Sequence, residues 1–247
     1  MPTPSPHSLP ENDGLAFVGE TPAPALRISA RQAKQLLAAS NPTGKPNADV
    51  LRRVVSADGT EHWQIDFPAT LGEREAALYE KPFAHAGHAW RNLHPHAPLR
   101  IALARVERYL ATPAAGTEAN FQWCDGELLP DDTLVAVARD DDFIHGILAA
   151  RPFALWWREF HSSRTPTLAV SSYPFPWPPS TSLSALTKIQ EDQRYALARA
   201  ARGGDAEALN SALAAAYGWP GEVDDAVVLA RLGELNRARG RKTQNSA

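Results

Sequence analysis

The chain has 247 residues, 44% of them hydrophobic, which suffices for one large core or two small ones. Its 25 Lys and Arg are outnumbered by 28 Asp and Glu, giving a net charge of −3 and a pI near 6.2; nothing global draws it to a polyanion, so a nucleic-acid contact has to come from a local patch. One cysteine, Cys124, excludes an internal disulfide framework and a cysteine-rich zinc site, no stretch reaches the ~18 apolar residues of a membrane span, and no signal-peptide pattern is visible, so a cytoplasmic protein is expected.

Residues 1–13, MPTPSPHSLPEND, are rich in Pro and Ser and read as a disordered leader. The apolar opening LAFVG is followed by a helix that Ser29 caps, with Ala33, Leu36, Leu37 and Ala38 as its apolar side. The run NPTGKPN over 41–47 breaks that helix. Residues 51–55 and 63–67 read as two strands around a turn at Asp58 and Gly59. A helix is expected over 73–91, weakened by Pro82 and Gly87. Residues 100–109 fit a short helix or a strand equally well.

Residues 120–124 and 134–138 read as strands, the second buried on both faces. Residues 142–160 read as helical, with Pro152 kinking or splitting the helix. Helices are expected over 186–201 and 205–217, separated by Arg202, Gly203 and Gly204, and the second ends at 218–221. A third, over 222–239, carries Val228, Leu229, Leu232 and Leu235 on one stripe. The expected organisation is α+β: a mixed domain of short strands and flanking helices over 14–180, a small helical C-terminal domain over 184–240, and a basic tail over 241–247.

No catalytic pattern fits. An S-adenosylmethionine-dependent amino-methyltransferase needs a glycine-rich loop after a strand and an Asn/Asp-Pro-Pro-aromatic loop for the exocyclic amine, and neither occurs; nor does a P-loop or a G-x-S-x-G elbow. His85, His88, His94 and His96 have spacings that could hold a metal for an independent hydrolase, but they read better as a solvated helix end and loop. Asp140, Asp141 and Asp142 read as a helix cap rather than a cation site. Phe153, Trp156, Trp157 and Phe160 read as core rather than as a base-stacking platform, and Cys124 as a strand thiol.

Several segments, in chain order, resemble the target-recognition and C-terminal helical region of class I adenine-specific DNA methyltransferases, including the fused restriction–methylation and phage-defence enzymes. They are NPTGKPNADVLRR over 41–53, WQIDFP over 63–68, EREAALYEKPF over 73–83, RYLATP over 108–113, LLPDDTLVAVARDDDFIHGIL over 128–148, YPFPWPP over 173–179, and AYGWP with LARLGELNRAR over 216–239. The likeness covers about residues 14–240. The methyltransferase core that precedes this region in the family has no counterpart here. The resemblance therefore implies a recognition part whose catalysis is supplied in trans: S-adenosylmethionine on a partner methyltransferase subunit, double-stranded DNA as the shared ligand, and no cofactor in this chain.

The departures fall on contact residues. HAWRNLHPHAPLR stands where the family has Tyr-Arg-x-x-Trp-Trp, 114–120 reads AAGTEAN where the family carries bases and a Lys-His pair, and SSRTPTLAVSS replaces an Arg-Tyr-Thr-Pro-Thr run. Residues 14–180 hold 16 Lys/Arg against 18 Asp/Glu, a local net of −2. The DNA-contact candidates that survive are Lys45, Asn47, Arg52, Arg53, Arg91, Arg100, Arg108 and Arg164. Arg and Asn suit bidentate base-edge contacts and Lys suits phosphate. Arg108 and Asp66 also fit internal pairing. The alternative to a DNA reader is a diverged protein-interaction module that docks on a methyltransferase partner through the Pro/Trp exit and the helical tail.

Overall fold

In the computed structural model, which describes residues 5–41, 44–68, 70–162, 164–221 and 223–244, two four-stranded sheets share an apolar layer and each carries helices on its outer side. The first sheet runs β1 (Ala16–Val18), β8 (Leu134–Val137), β5 (Arg108–Pro113), β6 (Gln122–Asp125), all antiparallel. The second runs β2 (Arg27–Ile28), β4 (Glu61–Ile65), β3 (Leu51–Val55), β7 (Leu128–Pro130), antiparallel except for the parallel β3–β7 pair. The α+β class expected from the sequence is the class observed.

The shared layer holds Val54, Val55 and Leu129 from the second sheet and Phe17, Tyr109, Ala111, Leu134 and Ala136 from the first. Along β5, Leu110 points instead into the outer helical layer. This is the two-residue period of a strand covered on both faces. The sheets are joined at Gly19, where an added Cβ would lie 2.0 Å from the Asp131 carbonyl oxygen. Glycine is needed there because the backbone carrying Glu20 bridges directly to Asp131.

Three helices line the outer face of the second sheet: α1 (Ala30–Ala38), α2 (Glu73–Ala76) and α3 (Glu80–Ala86). Ala33, Ala76, Tyr79 and Ala86 pack there on Ile28, Leu51, Ile65 and Phe67. Ser29 and Gln32 form a reciprocal capping box at the start of α1. Of the apolar side expected for this helix, Ala33 is buried and Leu36 half-buried, but Leu37 and Ala38 face solvent. The helix expected over 73–91 is three pieces. It breaks after Ala76 and again at Gly87, whose φ of 55° a residue with a side chain rarely adopts, and a 3-10 turn follows over Ala89–Asn92. Pro82 is not a breaker: it lies in the first turn of α3, where the missing N–H has no intrahelical partner to lose. The segment open between helix and strand is both, α4 (Ala97–Leu103) and then β5.

On the outer face of the first sheet lie α5 (Asp142–Ala149), α6 (Arg151–Phe160), α7 (Leu168–Ser171), α8 (Lys188–Gly203), α9 (Ala206–Ala216) and α10 (Asp225–Gln244). Pro152 splits α5 from α6 at the extended Ala150, because its ring would clash with the carbonyl one turn back. Leu197, Leu209, Leu213, Val228 and Leu232 from α8, α9 and α10 share one core with Ile144, Phe153, Trp156 and Trp157. The helices of 184–240 therefore do not pack as a body apart from 14–180. Gly146 makes this possible: a Cβ there would meet Leu209 Cδ1 at 3.1 Å and Ala201 Cβ at 3.2 Å.

Both ends of the chain differ from expectation. Residues 1–4 lie outside the described residues, but residues 5–13 of the expected disordered leader are packed. Leu9 is fully buried. Asn12 Nδ2 donates to the carbonyls of Val170, Ser171 and Tyr173, and the side chain of Asn236 pairs with both the N–H and the C=O of His7. Composition misleads because one buried leucine and the side-chain amides of Asn12 and Asn236 are enough to fix so short a segment. At the other end α10 continues to Gln244, so 241–244 of the expected tail are helical, and 245–247 lie outside the described residues. Among the described residues no helix is long and apolar enough to cross a membrane.

Candidate nucleic-acid interface

A basic residue can neutralise phosphate only if no acid of its own chain already holds it, so the partners of the eight candidates decide what they can do. Arg100, on α4, is held most firmly. Its Nε and Nη2 donate to both carboxylate oxygens of Glu20 at 2.6 Å, and Nη1 and Nη2 donate to Asp66 at 2.7 and 2.8 Å. The Asp66 side chain is 1% exposed. Burial works against the guanidinium charge, but the hydrogen bonds to Glu20 and Asp66 outweigh it and push the pKa up. Arg100 is a structural tie between the loop after β1, the end of β4 and α4.

Arg108 is also engaged. It stacks 3.7 Å from the centroid of the Trp123 ring, across the β5–β6 pair, and donates to Asp142 Oδ1 at 2.9 Å. Arg202 of α8 reaches Asp142 Oδ2 at 2.8 Å. Asp142 is thus the pin between the first sheet, α5 and α8, while the helix cap is Asp141, which accepts from the Ile144 N–H. Burial alone would raise the Asp142 carboxyl, but Arg202 and Arg108 prevail and hold it below the ordinary aspartate value. A depressed acid contributes stability above its unfolded pKa of about 3.9 and loses it as pH falls through the folded value. Asp142→Asn should therefore cost roughly 1 kcal/mol at neutral pH, since both arginines are partly solvated. Urea unfolding at a series of acidic pH values should show that difference shrinking as pH falls below the ordinary aspartate range and through the depressed folded value; an equal cost at every pH would contradict the ionic role.

The other candidates divide further. Arg53 pairs with Glu61 on the neighbouring strand. Arg91 pairs with Glu73 at 2.6 Å, touches His88 Nδ1 and lies over Trp90. Asn47 is buried, and its Nδ2 donates to the carbonyls of Leu36 and Ala39 at the C-terminus of α1, a helix-end role rather than a base-edge one. Arg52 is half-exposed, 3.8 Å from Asp66. Lys45 is exposed, 6.0 Å over the Tyr79 ring. Arg164 is exposed, with no ion pair among the described residues.

The fold brings Arg52, Arg53 and Arg100 together with Trp63, Asp66 and Glu127 around a cleft of about 520 Å³, beside the start of β3, where Leu51 and Arg52 have no β7 partner. The acids there offset the arginines, so the cleft is not an anion trap. The remaining candidates are dispersed. Phe153, Trp156 and Trp157 are buried, with Trp156 Nε1 donating to Ser172 Oγ, so they form core and offer no ring to a base. His85, His88, His94 and His96 are exposed, and the described residues bring no three His, Cys, Asp or Glu side chains together as a metal site.

No family model matches the chain, and no curated protein does. Among solved structures, it is similar to the Type IIL restriction-modification enzyme MmeI in complex with DNA, with a TM-score of 0.57 over 95% of this chain at 15% sequence identity. The chain shares its fold with part of a restriction-modification enzyme. It spans 37% of that enzyme's chain. The low identity accords with the packing: apolar periodicity sets the layers, and many side chains satisfy it.

The sequence reading missed Arg31 and Lys34 on α1, both exposed and without an ion pair among the described residues. A signal was available. The α1 stretch ARQAKQLLA contains no acid, so no carboxylate on the same helix could hold its cations.

Proposed function

We propose that this chain is the DNA target-recognition part of an adenine-specific restriction–modification methyltransferase, with catalysis supplied in trans. What carries the reading is the fold shared with a restriction-modification enzyme over 95% of the chain. The ordered motifs between Asn41 and Arg239 add to it. A partner subunit would hold S-adenosylmethionine and receive the adenine after it is swung out of the stack, because the target amine is inaccessible inside a duplex. This chain would hold the duplex in register and set which site is presented, as phosphate contacts position and base-edge contacts specify.

A second reading, a protein-interaction module that docks on the methyltransferase, is favoured by one observation: Arg53, Arg91, Arg100 and Arg108 are all paired with acids of the same chain. The two readings differ in salt dependence. Under the first, fluorescence anisotropy with the full chain and a labelled 30-base-pair duplex (about three helical turns) detects binding at low ionic strength that weakens linearly in log–log form as salt rises. Under the second, no duplex binding occurs at low salt while binding to a methyltransferase core persists.

A further inference from the structure

Helix α1 presents an exposed stripe whose cations make no side-chain hydrogen bond or ion pair among the described residues. Ala33 and Leu36 face the core, and on the opposite side of the helix stand Arg31, Lys34, Gln35 and Ala38, all exposed. The spacing of three and four residues aligns these four side chains on one face. Neither cation has an acidic partner among the described residues, in contrast to Arg53, Arg91, Arg100 and Arg108.

The helix is also anchored at both ends. Ser29 and Gln32 cap its start reciprocally, and the buried Asn47 holds the carbonyls of Leu36 and Ala39 at its finish. Nine residues span about 13 Å, a length marginal for a free helix in water; here tertiary ties make it a rigid presenter. An acid-free stripe of an arginine, a lysine and a glutamine, ending on a small residue, is complementary to a polyanion. Its donors also match duplex chemistry: Lys to phosphate, Arg to guanine or phosphate, Gln to adenine.

We infer that the outward stripe Arg31–Lys34–Gln35–Ala38 of α1 is the surface through which this chain engages duplex DNA, with the helix entering or bordering the major groove, which is wide enough for one. The inference rests on the DNA-reading proposal and names the contact residues within it.

The test uses the full chain and the labelled duplex. The double variant Arg31→Ala/Lys34→Ala should fold as the parent does, because alanine favours an exposed helix position; circular dichroism and the unfolding midpoint check this. The variant is expected to lose on the order of 10-fold or more in affinity at low salt, and the magnitude of the log–log salt slope should fall by roughly 2, about one for each phosphate that is no longer neutralised. A control with the same charge change, Arg158→Ala/Arg199→Ala, removes exposed cations of α6 and α8 that have no ion pair among the described residues. It should leave the slope almost unchanged. Duplex binding that survives intact in the Arg31/Lys34 variant overturns the α1 assignment and leaves the DNA-reading proposal standing. Equal losses in variant and control also overturn it, since net charge alone then accounts for binding. Parent chain that binds no duplex, alone or with a methyltransferase core, sinks both. Loss of core binding with duplex binding retained shows that the stripe serves a protein partner, which likewise overturns the assignment.

Discussion

Arg100→Ala is expected to destabilise the protein by about 3–5 kcal/mol, the cost of leaving a buried carboxylate without its counter-charge. For a chain of this length that lowers the melting midpoint by on the order of 10 °C. Asp66 is the reason: its side chain is 1% exposed and receives two of the guanidinium's hydrogen bonds, while the other two go to Glu20, 9% exposed. Arg52 lies 3.8 Å from Asp66 on an exposed side chain and cannot replace a bidentate pair. Asp66→Ala should cost less, because Glu20 still holds Arg100. Arg100→Lys should fall between, keeping the charge and losing the fork. Thermal and urea unfolding read all three. An Arg100→Ala protein as stable as its parent would show that the network does no structural work, and would return Arg100 to the surface available to DNA.

The second large effect is expected at Trp157. The ring is fully buried, packed against Phe121 and Phe153, and stacked on His161 at 4.0 Å, while its indole N–H donates to the Gly116 carbonyl. Trp157→Ala should cost about 3–5 kcal/mol through the loss of apolar burial and the cavity left behind. Trp157→Phe should retain much of that. A base-stacking tryptophan behaves in the opposite way: its removal leaves stability alone and lowers duplex affinity by about 1–3 kcal/mol. Unfolding and duplex binding measured on the same preparation separate the two. A stable Trp157→Ala protein with impaired DNA binding would contradict the core assignment.

Local chemistry was legible in the sequence, and long-range pairing was not. Ser29 marked the start of α1, and it caps the helix there. Pro152 divided the aromatic helix, and the apolar run at 134–137 proved to be a strand covered on both faces. Each of these signals is contained within a few residues. The union of the C-terminal helices with the aromatic core depends instead on Gly146 meeting Leu209 and Ala201, a juxtaposition that the spacing of either segment does not encode. The candidate site was legible only as residue types. That Arg100 belongs to Glu20 and Asp66, separated from it by 80 and 34 positions, emerges only when the two sheets are brought together. Arg31 and Lys34 were overlooked because a cation on an amphipathic helix looks like an ordinary solvated face until its acid partners are counted. The Pro- and Ser-rich composition likewise hid the packing of residues 5–13, which Asn12 and Asn236 fix through single side-chain amides.

The central claim is that this chain reads duplex DNA, and selection from a random-sequence duplex library tests it most directly. Full-length chain, incubated with the library at low salt and carried through repeated capture and amplification, should enrich duplexes that share a short common motif. Changing one base pair of that motif should cost about 1–3 kcal/mol of affinity. Pools that stay random in sequence through successive rounds, whether or not duplex is retained, would contradict it.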